Sequence, residues 1–239
     1  MRIILLVAFF FLAHTMSAQI SLNRLKNAAV TAQEVVNPKK LSTDEVVKGL
    51  KEALIIGAKK STVNASDQGG FNNNILIKIP FPEDAKKMKE TLIKFGMESQ
   101  VAKFEYTLNE AAEDASGFAI DIFVSAVRNM TINDAISILK GNDNAATTYL
   151  KDQTSQELYI KFKPIVNNSI KQVSLTKYWG ILSSRYNAIP LTEEVNTDLA
   201  DYVTNQAIKA LFILIEKEEK NIRENPQARV SEILKKVFK

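Results

Sequence analysis

A chain of 239 residues with one histidine and no cysteine has almost no imidazole and no thiol to work with. The histidine is His14, inside a leader expected to be removed, which excludes His- and Cys-based triads and the usual zinc sites from the mature protein. Thirty-one basic and 27 acidic residues are well mixed and leave a formal charge of +4, too weak a bias to point to nucleic acid.

Residues 1–18, MRIILLVAFFFLAHTMSA, read as a signal peptide. Arg2 gives a positive start, Ile3 to Ala13 is unbroken apolar chain, and Ser17-Ala18 offers the small residue before a cut. The apolar run suits a signal-peptide core and falls short of the roughly 20 residues that span a bilayer. No later segment is long and apolar enough either, so the expectation is an exported, soluble protein, periplasmic or secreted, with no transmembrane segment once the signal is removed. Residues 19–40 form a modestly amphipathic N-terminal arm ended by Pro38-Lys39-Lys40, and 41–239 is the domain proper.

Helical periodicity dominates that domain. Ser42-Thr-Asp-Glu45 is a capping box ahead of Val46, Val47, Leu50, Leu54 and Ala58, predicting a helix to about Ser61. Residues 64–82 break the pattern with Gly69-Gly70 and three asparagines, and Ile75 to Ile79 suggests a short strand or an extended apolar strap held by Pro80 and Pro82. A short helix over 83–95 stops at Gly96. Apolar residues at Met97, Val101, Phe104, Leu108, Ala111, Ala115, Phe118 and Ile122 predict one long helix to Asn129, about 50 Å at 1.5 Å per residue, with Gly117 as its one point of kinking. Thr131-Ile-Asn-Asp134 caps a helix to Lys140, and Gly141 to Asn144 is a turn. Helices are then expected over 144–151, 154–173 with Pro164 in its middle, Thr176 to Tyr186, 197–224 and 226–238. The fold class is all-α: a single multi-helix domain with two long helices and one irregular Gly/Pro-containing loop with at most a short strand.

Motifs for chemistry are scarce. Gly69-Gly70 belongs to no phosphate-binding pattern, and Asn142-Asp143-Asn144 lacks the spacing and distal Glu of a calcium loop. No cofactor and no metal are expected. Carboxylate chemistry needs neither His nor Cys, and Glu105 or Glu218 are the candidate acids for it. Glu98-Ser99 is a weaker dipeptide signal for the same chemistry. Glu105, Asn109 and Glu113 make an i, i+4, i+8 polar row beside the core stripe, Asp121 and Arg128 share a face, and Glu218 falls on an apolar face with Glu219 flanking it. Only six arginines stand in a lysine-rich chain, and Arg128, Arg185, Arg223 and Arg229 sit in the helical body, where a bidentate fork is the reason to prefer Arg. For each, a structural ion pair outweighs a ligand role. Tyr178-Trp179 and Arg185-Tyr186 are the aromatic pairs most suited to keep a polar end exposed.

G-L-K-E-A-L at 49–54, G-F-x-N-N-x-x-I-x-I-P-x-P at 70–82, F-E-x-x-L-N-x-A-A-E at 104–113, G-N-D-x-A-A-T at 141–147 and R-Y-x-A-I-P at 185–190 resemble a bacterial exported family, domain of unknown function 4197. A further match runs from Tyr202 to Arg229. The resemblance implies a helical exported domain and brings no activity. Relatives tend to carry a proline near Asp114–Ile120, so the long helix is expected to bend less here. Polar positions on the pattern are Asn73, Glu105, Asn109, Asp143, Arg185, Glu218, Glu219, Arg223 and Arg229. Of these, Asn73, Glu105, Asn109, Arg185, Glu218, Arg223 and Arg229 are the ligand-binding candidates.

The leading expectation is a non-enzymatic periplasmic binding or envelope-maintenance protein. Its ligand would be an apolar or amphipathic small molecule, bound where the 70–82 strap closes a cleft, with Arg185 or Arg223 meeting an anionic head. The alternatives are a carboxylate-based hydrolase or lyase acting on envelope polymer, and a scaffold that binds a protein partner. The sequence leaves the oligomeric state open.

Overall fold

A computed structural model of the chain describes residues 41–195, 197–229 and 235. The expected signal peptide and arm lie outside the described residues, as does all but Lys235 of the expected last helix beyond Arg229.

Apolar residues recurring every three or four positions fold into eight α-helices among the described residues: α1 (Thr43–Ser66), α2 (Lys86–Lys94), α3 (Glu98–Ser116), α4 (Ala119–Asn129), α5 (Ile132–Lys140), α6 (Ala145–Gln172), α7 (Leu175–Asn187) and α8 (Leu199–Glu224). Short 3-10 turns at Glu83–Ala85 and Pro226–Ala228 precede α2 and follow α8. No strand occurs among the described residues, so the fold is all-α. From Thr43 onward the chain makes one unit. The helix α8 lies against α1, α3 and α6, and α3 also packs on α6 and α7. Leu50, Phe104, Leu108, Phe123, Leu150, Leu158, Phe162, Val203 and Leu211 are among the side chains sealed between them. Burying each of the large ones contributes about 1.5–3 kcal/mol.

Three helix boundaries differ from the expected ones. The long helix over 97–129 is two helices, and the proline-free sequence does not prevent the bend. The chain turns at Gly117 and Phe118, where Phe118 N–H donates to Ala115 O at 3.2 Å in a tightened last turn. Turning there brings Ile122, Phe123 and Val127 onto α1 and α6, where a straight helix would carry them past the core. Phe118, on the expected core stripe, is 60% exposed as a result. The two helices expected over 144–173 are instead one, α6, the longest at 28 residues. Leu150, Thr154, Leu158, Phe162, Val166 and Ile170 form an unbroken buried stripe, and the buried Thr154 hydroxyl is satisfied by Leu150 O at 2.6 Å. Pro164 is exposed on the outer side, where water can reach the Ile160 carbonyl that loses its helical donor. Thr176 is not a cap: α7 begins at Leu175, after Ser174 turns the chain with φ 60°.

Other boundaries stand close to expectation. Helix α1 runs five residues further than Ser61. Thr131 and Asp134 form the reciprocal capping box of α5. Gly96 ends the α2 segment at φ 77°, a conformation that suits glycine. The 67–82 segment is a strap of successive turns rather than a strand, with Ile77, Ile79 and Phe81 buried and Ile75 and Leu76 exposed.

Candidate functional site

The polar row of α3 holds the strap. Asn109, fully buried, accepts the Ile79 N–H on Oδ1 at 2.7 Å and donates from Nδ2 to Ile79 O at 3.0 Å and to Glu105 O at 2.8 Å. One turn on, the buried Glu113 carboxylate accepts N–H groups from Gly69, Phe71 and Asn72 at 3.1, 3.0 and 3.2 Å. A strap without a strand partner has no ladder to satisfy its backbone, and these two side chains supply one. Phe81 then stacks against Phe104 and Trp179, with ring centroids 4.9 and 6.0 Å away. Glu105 is drawn into an ion pair with Lys89 at 2.5 Å. Asn73 is exposed, its N–H bonded to Gly69 O at 2.8 Å within the strap's own turn. Ile77, Ile79 and Phe81 are buried where the strap packs on the helices.

The acidic and basic residues of α8 tie helices together. Glu219, buried, accepts the N–H groups of Ala146 and Thr147 at 3.0 and 2.8 Å and the Thr147 hydroxyl at 2.7 Å, so a carboxylate fills the positive end of α6. Arg223 donates to the same carboxylate from Nε at 3.0 Å and Nη2 at 2.8 Å, and from Nη2 to Ile138 O at 3.0 Å. The gap beside the pair is about 10 Å³, room for one water at most. Glu218 pairs with Lys60 of α1 at 2.8 Å beside Gly57. Arg229 donates to Ile222 O and Arg223 O at 3.0 and 2.7 Å, closing the end of α8. Arg185 is exposed on α7 without a hydrogen bond or ion pair among the described residues, and the Tyr186 beside it is buried. Arg128 offers only its carbonyl, to Lys51 Nζ at 3.0 Å. The seven nominated residues therefore do not form one cluster: Glu105 and Asn109 lie together on α3, Arg223 and Arg229 at the end of α8, and Glu105 and Glu218 are each paired with a lysine.

A further concavity lies elsewhere, along the seam of α6 and α8. It is a groove of about 550 Å³ walled by Thr147, Thr148, Lys151, Ser155 and Tyr159 of α6 and by Asn205, Lys209 and Glu216 of α8. Ile208, Phe212 and Ile213 supply its apolar lining. A shallower hollow of about 420 Å³ beside Asp134, Tyr149 and Asp152 adjoins it through Asn144 and Thr148. At the far end of the main groove a polar clasp joins the helices. The Tyr159 hydroxyl and Lys163 Nζ both donate to Asp201 Oδ1, the lysine at 3.1 Å, and Asn205 Nδ2 donates to Oδ2 at 3.0 Å. The hydrogen bond from Tyr159, with those from Lys163 and Asn205, holds the Asp201 carboxyl below the usual carboxylate range. Bonding to Tyr159 and Asp201 holds Lys163 above the usual lysine value. These groups are hydrogen-bonded to one another.

The single sequence gave no sign of the groove. Its walls come from two helices some 50 residues apart, and each wall alone reads as an ordinary solvated helix face. Among the described residues no cluster of three or more His, Asp or Glu side chains is placed to hold a metal ion. No described helix is long and apolar enough to cross a membrane.

Comparison with curated proteins and with solved structures finds no match. The family model described as "Protein of unknown function (DUF4197)" matches residues 40–239, the whole of the helical unit. The chain belongs to that family.

Proposed function

We propose that this is an exported, non-enzymatic binding protein of the cell envelope, and that its ligand site is the groove between α6 and α8. The observation that carries the reading is the groove itself. It has ligand-sized volume, an apolar floor of Ile208 and Phe212, and unpaired polar groups on both walls. The carboxylates nominated as acids support binding over hydrolysis, because Glu105 and Glu218 are each held by a lysine. The leader sequence supports export.

Native mass spectrometry of the mature protein, isolated gently, tests this. A reproducible added mass is expected on the natural chain and not on Ser155→Trp, which fills the groove from its wall while leaving the unfolding midpoint unchanged. A bare monomer in both would overturn the reading. A bare oligomer would favour the scaffold reading, for which the exposed Ile75 and Leu76 at the strap tip speak.

A further inference from the structure

Resting on the groove as the ligand site, we infer that it takes a single-chain anionic amphiphile, with the head between Lys151 and Lys209 and the chain on Phe212 and Ile208. The register of the two helices places the lysines. Ala146 and Thr147 meet Glu219, while Lys163 meets Asp201, so α6 and α8 run antiparallel. Interpolating between these anchors sets Lys209 opposite Ser155 and Lys151 about one turn away along the seam, roughly 6 Å at 1.5 Å per residue. The two ammonium groups therefore approach from opposite walls over one stretch of floor.

Neither lysine has a hydrogen bond or ion pair from its side chain among the described residues. Lys163, the next cation along, is already taken by Asp198, Asp201 and Tyr159. An anionic head between Lys151 and Lys209 supplies the missing partner for both. On this register Phe212 lies level with the lysines and Ile208 follows it toward Tyr159, while the Asn144 end is lined by Thr147, Thr148 and Glu216, the one carboxylate lining the groove. That polar lining disfavours an apolar chain, which sends the chain over Ile208 toward Tyr159. From Lys151 to Tyr159 the lining runs roughly 12 Å along α6, room for most of an extended chain. A carboxylate and a phosphate monoester head share this chemistry.

Three probes with one chain length separate the possibilities: dodecanoate, dodecyl phosphate and dodecyl maltoside, each titrated calorimetrically below its micelle concentration against the mature protein. Both anions are expected to bind at least tenfold more tightly than the neutral maltoside. The Lys151→Gln/Lys209→Gln variant should bring the anions down to the maltoside's affinity and leave the maltoside unchanged, with circular dichroism and the urea midpoint unaltered because both side chains are exposed. Preference for one anion over the other identifies the head. Equal binding of all three, insensitive to the double variant, would overturn the anionic assignment and leave the groove as a binding site. Failure of all three to bind would remove the amphiphile assignment, and the mass-spectrometric result would then decide the groove itself.

Discussion

At the start of α6 the N–H groups of Ala146 and Thr147 have no acceptor within their own helix, and Glu219 provides one to each. Its charge is in turn matched by Arg223, whose side chain is 13% exposed. Removing the carboxylate leaves the guanidinium uncompensated and the helix end open. Glu219→Ala should therefore lose about 3–5 kcal/mol of stability in urea unfolding, and Glu219→Gln less, because its amide oxygen still accepts an N–H. A loss under about 1 kcal/mol for the alanine variant would show that water replaces the carboxylate at no great cost. Residue roles of this kind were half legible in the sequence. The sequence sets Glu113 in a polar row beside the core stripe and Glu218 on an apolar face with Glu219 flanking it, whereas the structure buries Glu219 and pairs Glu218 with the exposed Lys60. The partners of Glu113 and Glu219, the N–H groups of a strap 41 to 44 residues away and of a helix start 72 to 73 residues away, are backbone groups and leave no mark in a side-chain pattern.

Between elements, small residues set the distances. Gly57 lies in the middle of α1, and a Cβ there would meet Glu218 Cγ at 3.5 Å, an ordinary contact. Gly57→Ala should thus stabilise the protein by about 0.5–1 kcal/mol through helix propensity alone. Gly70 is the opposite case. A Cβ there would lie 2.5 and 2.6 Å from the carbonyl oxygens of Asn64 and Ala65, which are backbone and cannot step aside. Gly70→Ala should cost about 1–3 kcal/mol, and thermal unfolding of the pair side by side checks both signs. Local signals located most elements: the Thr131–Asp134 box, the Gly96 stop and the α8 stripe stand where spacing puts them. They failed where tertiary packing decides. The bend at Gly117–Phe118 answers the need to bring α4 back onto α1 and α6. The two helices expected over 144–151 and 154–173 are one, with Lys151, Asp152 and Gln153 exposed on it.

Across the whole molecule the strap and the groove are separate systems. The strap is a length of chain fastened to α3 by Asn109 and Glu113, while the groove is open and bordered by unpaired lysines. Asn109→Ala should release the strap before the rest. Hydrogen exchange across residues 67–81 is expected to quicken about tenfold while α6 and α8 keep their protection. Equal quickening everywhere would show that Asn109 supports the entire core. The sequence carried the helical class and the polar row of α3 that fastens the strap, because these depend on residues near one another in the chain. It did not carry the groove, which exists only once α6 and α8 lie side by side.

Trp179 is the only tryptophan in the chain, and it sits against Phe104 at 5.2 Å and Phe81 at 6.0 Å, outside the groove lining. Nature has thereby installed a spectroscopic probe at the strap's anchored end. Its emission will redden when Phe81 lifts away and will stay dark to events on the opposite system, so strap opening can be followed in real time, without labels, in the presence of any compound that enters the groove.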